Sequence, residues 1–299
     1  MSDFAVSKGL AWQVSGHMGF PDDCFPVFHP EFETWCDEYA KELIPTNKDP
    51  YLLGHFSDNE LQCPKNMLDR TLKMDLEKYP EMKYNTQAAK DWLDQRKPQG
   101  WKIDNITDND RNDYIGHVFD TYYRLTSTAI KKYDPDHLYI GSRCYGYALS
   151  CPQVFRAAGK YLGLLSCNYY RAWKPDNERM NMWTKESNLP FLITEWYAKG
   201  MDSGLPNNTG AGWTVKTQKD RAWFYNNFTL ALMENKNCVG WHWFKYRDNN
   251  PEDLTTEPSN RDSNKGVVTY DYKPYVELLD EMKKLNDNVY PLIDYFDAR

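Results

Sequence analysis

At 299 residues the chain is long enough for one large domain, and an α/β barrel of about 250 residues fits inside it. A net charge of −7, with no Lys/Arg-rich stretch to offset it, argues against nucleic acid as a partner and suits a neutral ligand. No apolar run is long enough to span a bilayer, Met1 to Lys8 does not read as a secretion signal, and the seven scattered cysteines lack the paired C-x-x-C spacing of a zinc site and read mostly as buried thiols.

The first element is a short strand over Gly9–Gly16, followed by a loop through His17, Gly19 and Asp22-Asp23. From Pro30 to about Ile44, Phe32, Trp35, Tyr39, Ala40 and Leu43 fall on one helical face, which Pro45 terminates. Pro50-Tyr-Leu-Leu-Gly-His-Phe then reads as a buried strand running into Ser57-Asp58-Asn59-Glu60. Residues 61–107 form a long inserted connection with Met67, Leu68, Leu72 and Leu76 at helical spacing, more in keeping with a functional loop than a linker. Asp108 to Lys132 is the clearest helix, carrying Tyr114, Val118, Tyr122, Leu125 and Ala129 on one face, and Asp134-Pro135 ends it. Leu138–Arg143 is a strand and Gln153–Lys160 a helix. Leu162–Asn168 is a strand that runs into Tyr169-Tyr170-Arg171, and Met180–Glu186 is a short helix. Pro190-Phe-Leu-Ile-Thr-Glu195-Trp196 is a buried strand ending in a carboxylate, with a Gly-rich segment behind it. Thr217–Glu234 is a helix, Cys238–Phe244 the last strand and Lys273–Leu285 the last helix.

Strands alternating with helices over the whole length predict an α/β fold with a parallel sheet, a (β/α)8 TIM barrel in a single domain over residues 1–299. Six strands are read, near positions 9, 51, 138, 162, 190 and 238, where a closed barrel has eight. The expectation is a barrel incomplete at its N-terminus, lacking its first two βα units. In such a barrel Glu60 and Glu195 both stand at C-terminal strand mouths, and a pair of carboxylates is the minimum equipment for hydrolysing a glycosidic bond.

Each candidate has a bland alternative. Asp58-Asn59-Glu60 supplies a carboxyl for general acid work beside an amide suited to a sugar hydroxyl, or it is an N-cap cluster for the next helix. Glu195 is placed to attack an anomeric carbon with Trp196 shaping the sugar site, or it is ion-paired to a residue such as Arg143. Trp241 and Trp243 share one face of the last strand, with His242 on the other, and Trp243 is the stronger sugar platform unless both pack the core. Tyr246, Arg247, Asp248 and Asn249 follow on a loop within reach of a substrate. Aromatic residues make up 15% of the chain, including 11 Trp and 22 Tyr, which serves sugar stacking and half-buried packing alike. No His/Asp/Glu spacing marks a catalytic metal site, and no phosphate or dinucleotide motif calls for a cofactor. The absence of a Gly-x-Ser-x-Gly elbow weighs against an esterase.

With these residues the chain resembles the clan A glycoside hydrolases, retaining (β/α)8 enzymes, and more narrowly the family 50 β-agarases. The matching stretches are Asp49–Glu60, Leu192–Trp196, Thr217–Phe228, Asn237–Asn249, Asn264–Gly266 and Tyr272–Tyr275. The resemblance implies Glu60 as acid/base, Asn59 as the 2-hydroxyl contact and Glu195 as nucleophile, with Tyr169 or Tyr170 holding Glu195 by a hydrogen bond. It further implies a polysaccharide substrate such as agarose, a secreted or periplasmic location, and a pattern that departs where the family has two more barrel strands, so that a second copy could complete the fold as a homo-oligomer. Porphyranase, β-galactosidase or β-glucanase activity on the same two carboxylates, or a non-catalytic carbohydrate-binding remnant, are the alternatives.

Overall fold

The computed structural model of the protein describes residues 2–3 and 20–299, so the expected strand at Gly9–Gly16 lies outside the described residues. The chain divides into two compact units, Met1–Ser166 with Met182–Leu189, and Cys167–Asn181 with Pro190–Arg299.

The first unit carries a parallel sheet of order β1-β2-β3, formed by Ser2–Asp3, Gly54–Phe56 and Leu138–Gly141. Gly54 is required at the β2–β3 seam, because a Cβ there would stand 2.3 Å from the carbonyl oxygen of Leu138. The helix Asp108–Tyr133 covers this sheet. Its N-terminus is set by a capping box in which Thr107 and Asp110 satisfy each other's backbone N–H groups, and Lys131 and Lys132 sit in its last turn, where the helix dipole favours cations. Tyr114, Val118, Phe119, Tyr122, Tyr123 and Ile130 are buried along its inner face. The helix Phe32–Ala40 packs against it and continues as a 3-10 turn over Lys41–Thr46. Pro45 therefore sits inside a tighter turn and does not stop the chain where the sequence suggested. Within the 61–107 connection lie two helices, Met67–Leu72 and Lys83–Arg96.

Strand β4, Leu165–Asn168, passes from the first unit into the second, whose sheet has the order β4-β5-β8, with Phe191–Glu195 as β5 and Cys238–Trp241 as β8. β5 and β8 are parallel, and the ladder runs on past the last assigned residue, since His242 N–H donates to Ile193 O at 2.8 Å and Phe244 N–H to Trp196 O at 3.0 Å. Two short parallel strands, Ala198–Gly200 (β6) and Trp213–Val215 (β7), lie where the sequence showed only a Gly-rich loop. Helix Gln218–Met233 opens with a second capping box, Thr217 and Asp220, and Val276–Asn286 packs on it. A final helix, Val289–Asp297, was not anticipated; Pro291 falls in its first turn, where no intrahelical N–H is needed. The seven cysteines are free thiols, six of them buried. Among the described residues no helix is long and apolar enough to cross a membrane.

Candidate active site

In the first unit the chain leaves β2 through Ser57, whose N–H donates to Gly141 O at 2.8 Å, and turns sharply at Glu60, whose N–H donates to Ser142 O at 3.0 Å. Glu60 sits at φ 55°, a left-handed conformation that is uncommon outside glycine and concentrates at functional positions. The same device recurs after two further strands, at Arg143 (φ 46°) after β3 and at Arg171 (φ 59°) after β4.

Asp58 and Asn59 do not cap a helix, because the next one starts at Met67 behind Asn66. Asp58 is buried and accepts the N–H of Asn59 at 2.8 Å. Beneath it Tyr122 Oη donates to Ser57 Oγ at 2.9 Å, and Tyr139 Oη lies 2.8 Å from Ser57 Oγ and 2.7 Å from Thr126 Oγ1. Burial first and the Asp58 charge second raise the Tyr122 phenol far above its usual range, so it is a permanent donor. This buried hydroxyl chain, drawn from the strands and the inner face of Asp108–Tyr133, was not visible in the sequence. Arg143 Nη1 donates to Asn59 Oδ1 at 3.1 Å, and its guanidinium lies 4.2 Å from the Phe56 ring centroid. The Asn59 carbonyl is thus engaged, which orients its side-chain amide.

In the second unit Glu195 is half-buried at the C-terminal end of β5. Tyr170 Oη donates to Glu195 Oε2 at 2.6 Å. Tyr169 is used differently: its N–H donates to Glu195 O at 2.8 Å, while its buried phenol oxygen accepts Asp176 N–H at 2.9 Å. Tyr197, missed in the sequence, packs edge-on to Tyr170 with centroids 5.7 Å apart. Burial, and more weakly the Glu195 charge, raise its phenol.

Three expected sugar contacts are placed elsewhere. Trp196 is fully buried, stacked on Phe228 with centroids 4.2 Å apart and an interplanar angle of 10°. Residues along β5 alternate, so the face opposite Glu195 points at helix Gln218–Met233, and Trp196 fills that layer. Trp243 joins it edge-on at 5.1 Å and donates Nε1–H to Lys265 O at 2.7 Å, while Trp241 donates Nε1–H to Tyr225 Oη at 3.1 Å. The shared Trp241/Trp243 face is therefore the helix-packing face. Asp248 is likewise buried: its Oδ1 accepts the N–H groups of Lys265 (2.7 Å) and Gly266 (2.6 Å), and its Oδ2 accepts Tyr275 Oη–H (2.7 Å) and Asn264 Nδ2–H (3.1 Å). It organises the loop after β8 from within.

Among the described residues one group has the makings of a metal set, His55, Asp134 and His137, with ligand atoms within 4.8 Å of one another. Asp134 Oδ2 lies 2.6 Å from His55 Nε2 and 2.7 Å from His137 Nδ1. Those are hydrogen-bond lengths, closer than the roughly 3.3 Å between two ligands of one tetrahedral zinc. The trio ties β2 to the end of helix Asp108–Tyr133.

No protein-family model matches the chain. β-Agarase B of Vibrio sp. (strain JT0107) is 27% identical over 297 residues, covering 89% of this chain and 30% of that protein. The crystal structure of BpGH50 superposes with a TM-score of 0.85 at 35% identity, covering 99% of this chain and 63% of that one. The chain resembles the family 50 β-agarases. A solved exo-β-agarase, at a TM-score of 0.74 and 24% identity over 90% of this chain and 39% of that one, shares the fold. The chain thus spans less than two thirds of the length of the family 50 protein BpGH50 and about a third of β-agarase B.

Proposed function

We propose that the chain forms the catalytic portion of a retaining glycoside hydrolase acting on a β-linked, galactose-containing polysaccharide, agarose in the first instance. In this reading residues 1–299 make one (β/α)8-type catalytic domain, incomplete in its first strands, that needs no cofactor. Glu60 protonates the leaving oxygen, Glu195 forms the glycosyl-enzyme, and Glu60 then deprotonates the incoming water. Asn59 donates to the sugar's 2-hydroxyl. The observation that carries the reading is the Tyr170–Glu195 hydrogen bond, which fixes the orientation of a carboxylate standing at a strand terminus. The likeness to β-agarase B supports the substrate class.

Reducing-sugar release from agarose, porphyran, galactan and β-glucan tests the reading and ranks the substrates. Loss of turnover in both Glu60→Gln and Glu195→Gln is the expected outcome, and the unsubstituted protein should release a first-formed product with retained anomeric configuration. Undiminished turnover in Glu195→Gln removes that residue from the mechanism. Binding without hydrolysis of any polymer favours a non-catalytic carbohydrate-binding role.

A further inference from the structure

A groove of about 350 Å³ opens on the first unit among the helices Lys83–Arg96, Asp108–Tyr133 and Pro152–Ala158. Its volume falls within the range of small-ligand sites. Three cations line it, and each is already neutralised. Arg96 is paired with Asp110 and Asp113, Lys160 with Asp120 at 2.7 Å, and Arg156 with Glu186. An anionic ligand would have to break one of these pairs, and a cationic one would meet no free carboxylate among them.

What remains unspent is neutral. The half-buried Trp92, with the Arg96 guanidinium lying over its ring 5.2 Å from the centroid, offers the ring edge and an indole N–H, and His117 offers two imidazole nitrogens. Among the described residues none of these three nitrogens has a hydrogen-bond partner. Both rings are fixed from behind: Trp92 packs edge-on to Tyr114 with centroids 5.5 Å apart, and His117 stacks on Phe28 at 5.2 Å. Gln153 is locked beside them by donating Nε2–H to Asp113 Oδ1 at 2.9 Å. Burial lowers the affinity of His117 for a second proton, so its ring presents one donor and one acceptor near neutral pH. A rigid aromatic edge beside neutral donors and acceptors, with the surrounding cations already paired, matches a polyhydroxylated neutral molecule.

We propose that this groove is a second, non-catalytic saccharide-binding site that holds a neutral sugar segment of a polysaccharide through Trp92 and His117. The choice of polymer to test rests on the function proposed above, while the groove's chemistry does not.

The test is native electrophoresis of the full chain through gels containing soluble agarose, galactan or β-glucan, in a Glu195→Gln background that leaves the polymer intact. Adding Trp92→Ala or His117→Ala should weaken retardation about tenfold or more in apparent Kd. Trp92→Phe, which keeps the packing on Tyr114 and removes the N–H, should give an intermediate loss, and it decides the matter if the alanine variants do not fold. The single variants Trp92→Ala and His117→Ala should hydrolyse a short soluble oligosaccharide at the wild-type rate. Retardation equal to the parent in all folded variants, or no retardation of the parent in any gel, overturns the groove. Trp92-dependent retardation in a protein that hydrolyses nothing upholds the groove and sinks the enzymatic reading, so the two failures are distinguishable.

Discussion

Tyr170 donates a 2.6 Å hydrogen bond to Glu195 Oε2, and its ring is braced by Tyr197. A hydrogen bond to a charged group contributes about 1.5–3 kcal/mol, and about 1.4 kcal/mol is tenfold in rate. If Glu195 attacks the sugar, Tyr170→Phe should lower kcat/KM by roughly 10- to 100-fold with little change in melting temperature, since the phenol is only half-buried. Steady-state kinetics decide this; a wild-type kcat/KM would mean that the bond does not orient the nucleophile.

Gly212 makes the bracing possible. A Cβ there would come within 2.4 Å of the Tyr197 ring, a contact that cannot be relieved without moving the ring. Gly212→Ala should therefore cost about 1–3 kcal/mol of stability and lower activity as well, because Tyr197 moves against Tyr170. Thermal melting and kinetics on one sample check both. An active, fully stable variant would show that Tyr197 yields freely.

Arg143 holds the carbonyl of Asn59, so the two should act as a unit. Asn59→Ala and Arg143→Met should each reduce kcat/KM, and the double variant should lose less than the sum of the two single losses. Full additivity in this cycle would show that the 3.1 Å contact transmits nothing to the sugar.

The loop after β8 is knitted to Asp248. Removing that carboxylate strands two backbone N–H groups and leaves the fully buried Arg221 without a counter-charge that supports it. Asp248→Ala should destabilise the chain by about 3–5 kcal/mol, and Asp248→Asn by less. Denaturant unfolding measures the difference, and a loss under 1 kcal/mol for Asp248→Ala would mean that the loop is held by other contacts.

The His55–Asp134–His137 trio predicts a pH profile. Hydrogen bonds from both histidines outweigh burial and lower the Asp134 carboxyl, while the bond to Asp134 raises His137. A lowered carboxyl stabilises the fold above its unfolded pKa near 3.9, and that contribution is lost as pH falls through the folded value. A raised imidazole stabilises the fold fully below its unfolded pKa near 6.5, and that contribution is lost as pH rises through the folded value. The stability gap between wild type and Asp134→Asn should thus be widest between about pH 4 and 6.5 and narrow on both sides. Urea midpoints across pH 3–9 test this, and a gap independent of pH would remove the ionic part of the interaction.

Elements whose signal is local are legible in consecutive residues. Asp108–Tyr133 shows its apolar face and its Asp134-Pro135 end in consecutive residues, and the structure places the helix within one residue of that reading. The strand before Glu195 was legible too, because a short apolar run ending in polar residues describes a strand buried on both faces; of the run from Pro50 to Phe56 only Gly54–Phe56 is strand, and Tyr51 and Leu53 ahead of it are exposed. The β6–β7 pair was not legible, since Gly-rich segments carry no periodicity and their pairing depends on what lies beside them. Which of two adjacent tyrosines reaches Glu195 is settled by packing in three dimensions, because consecutive residues leave a strand in opposite directions and pattern alone does not say which direction faces the carboxylate. For the same reason Trp196, Trp243 and Asp248 looked like sugar contacts in one dimension and are packing and loop-anchoring groups in three. An aromatic ring or a carboxylate carries the same chemistry into a cleft or a core, and the element packed across from it settles which.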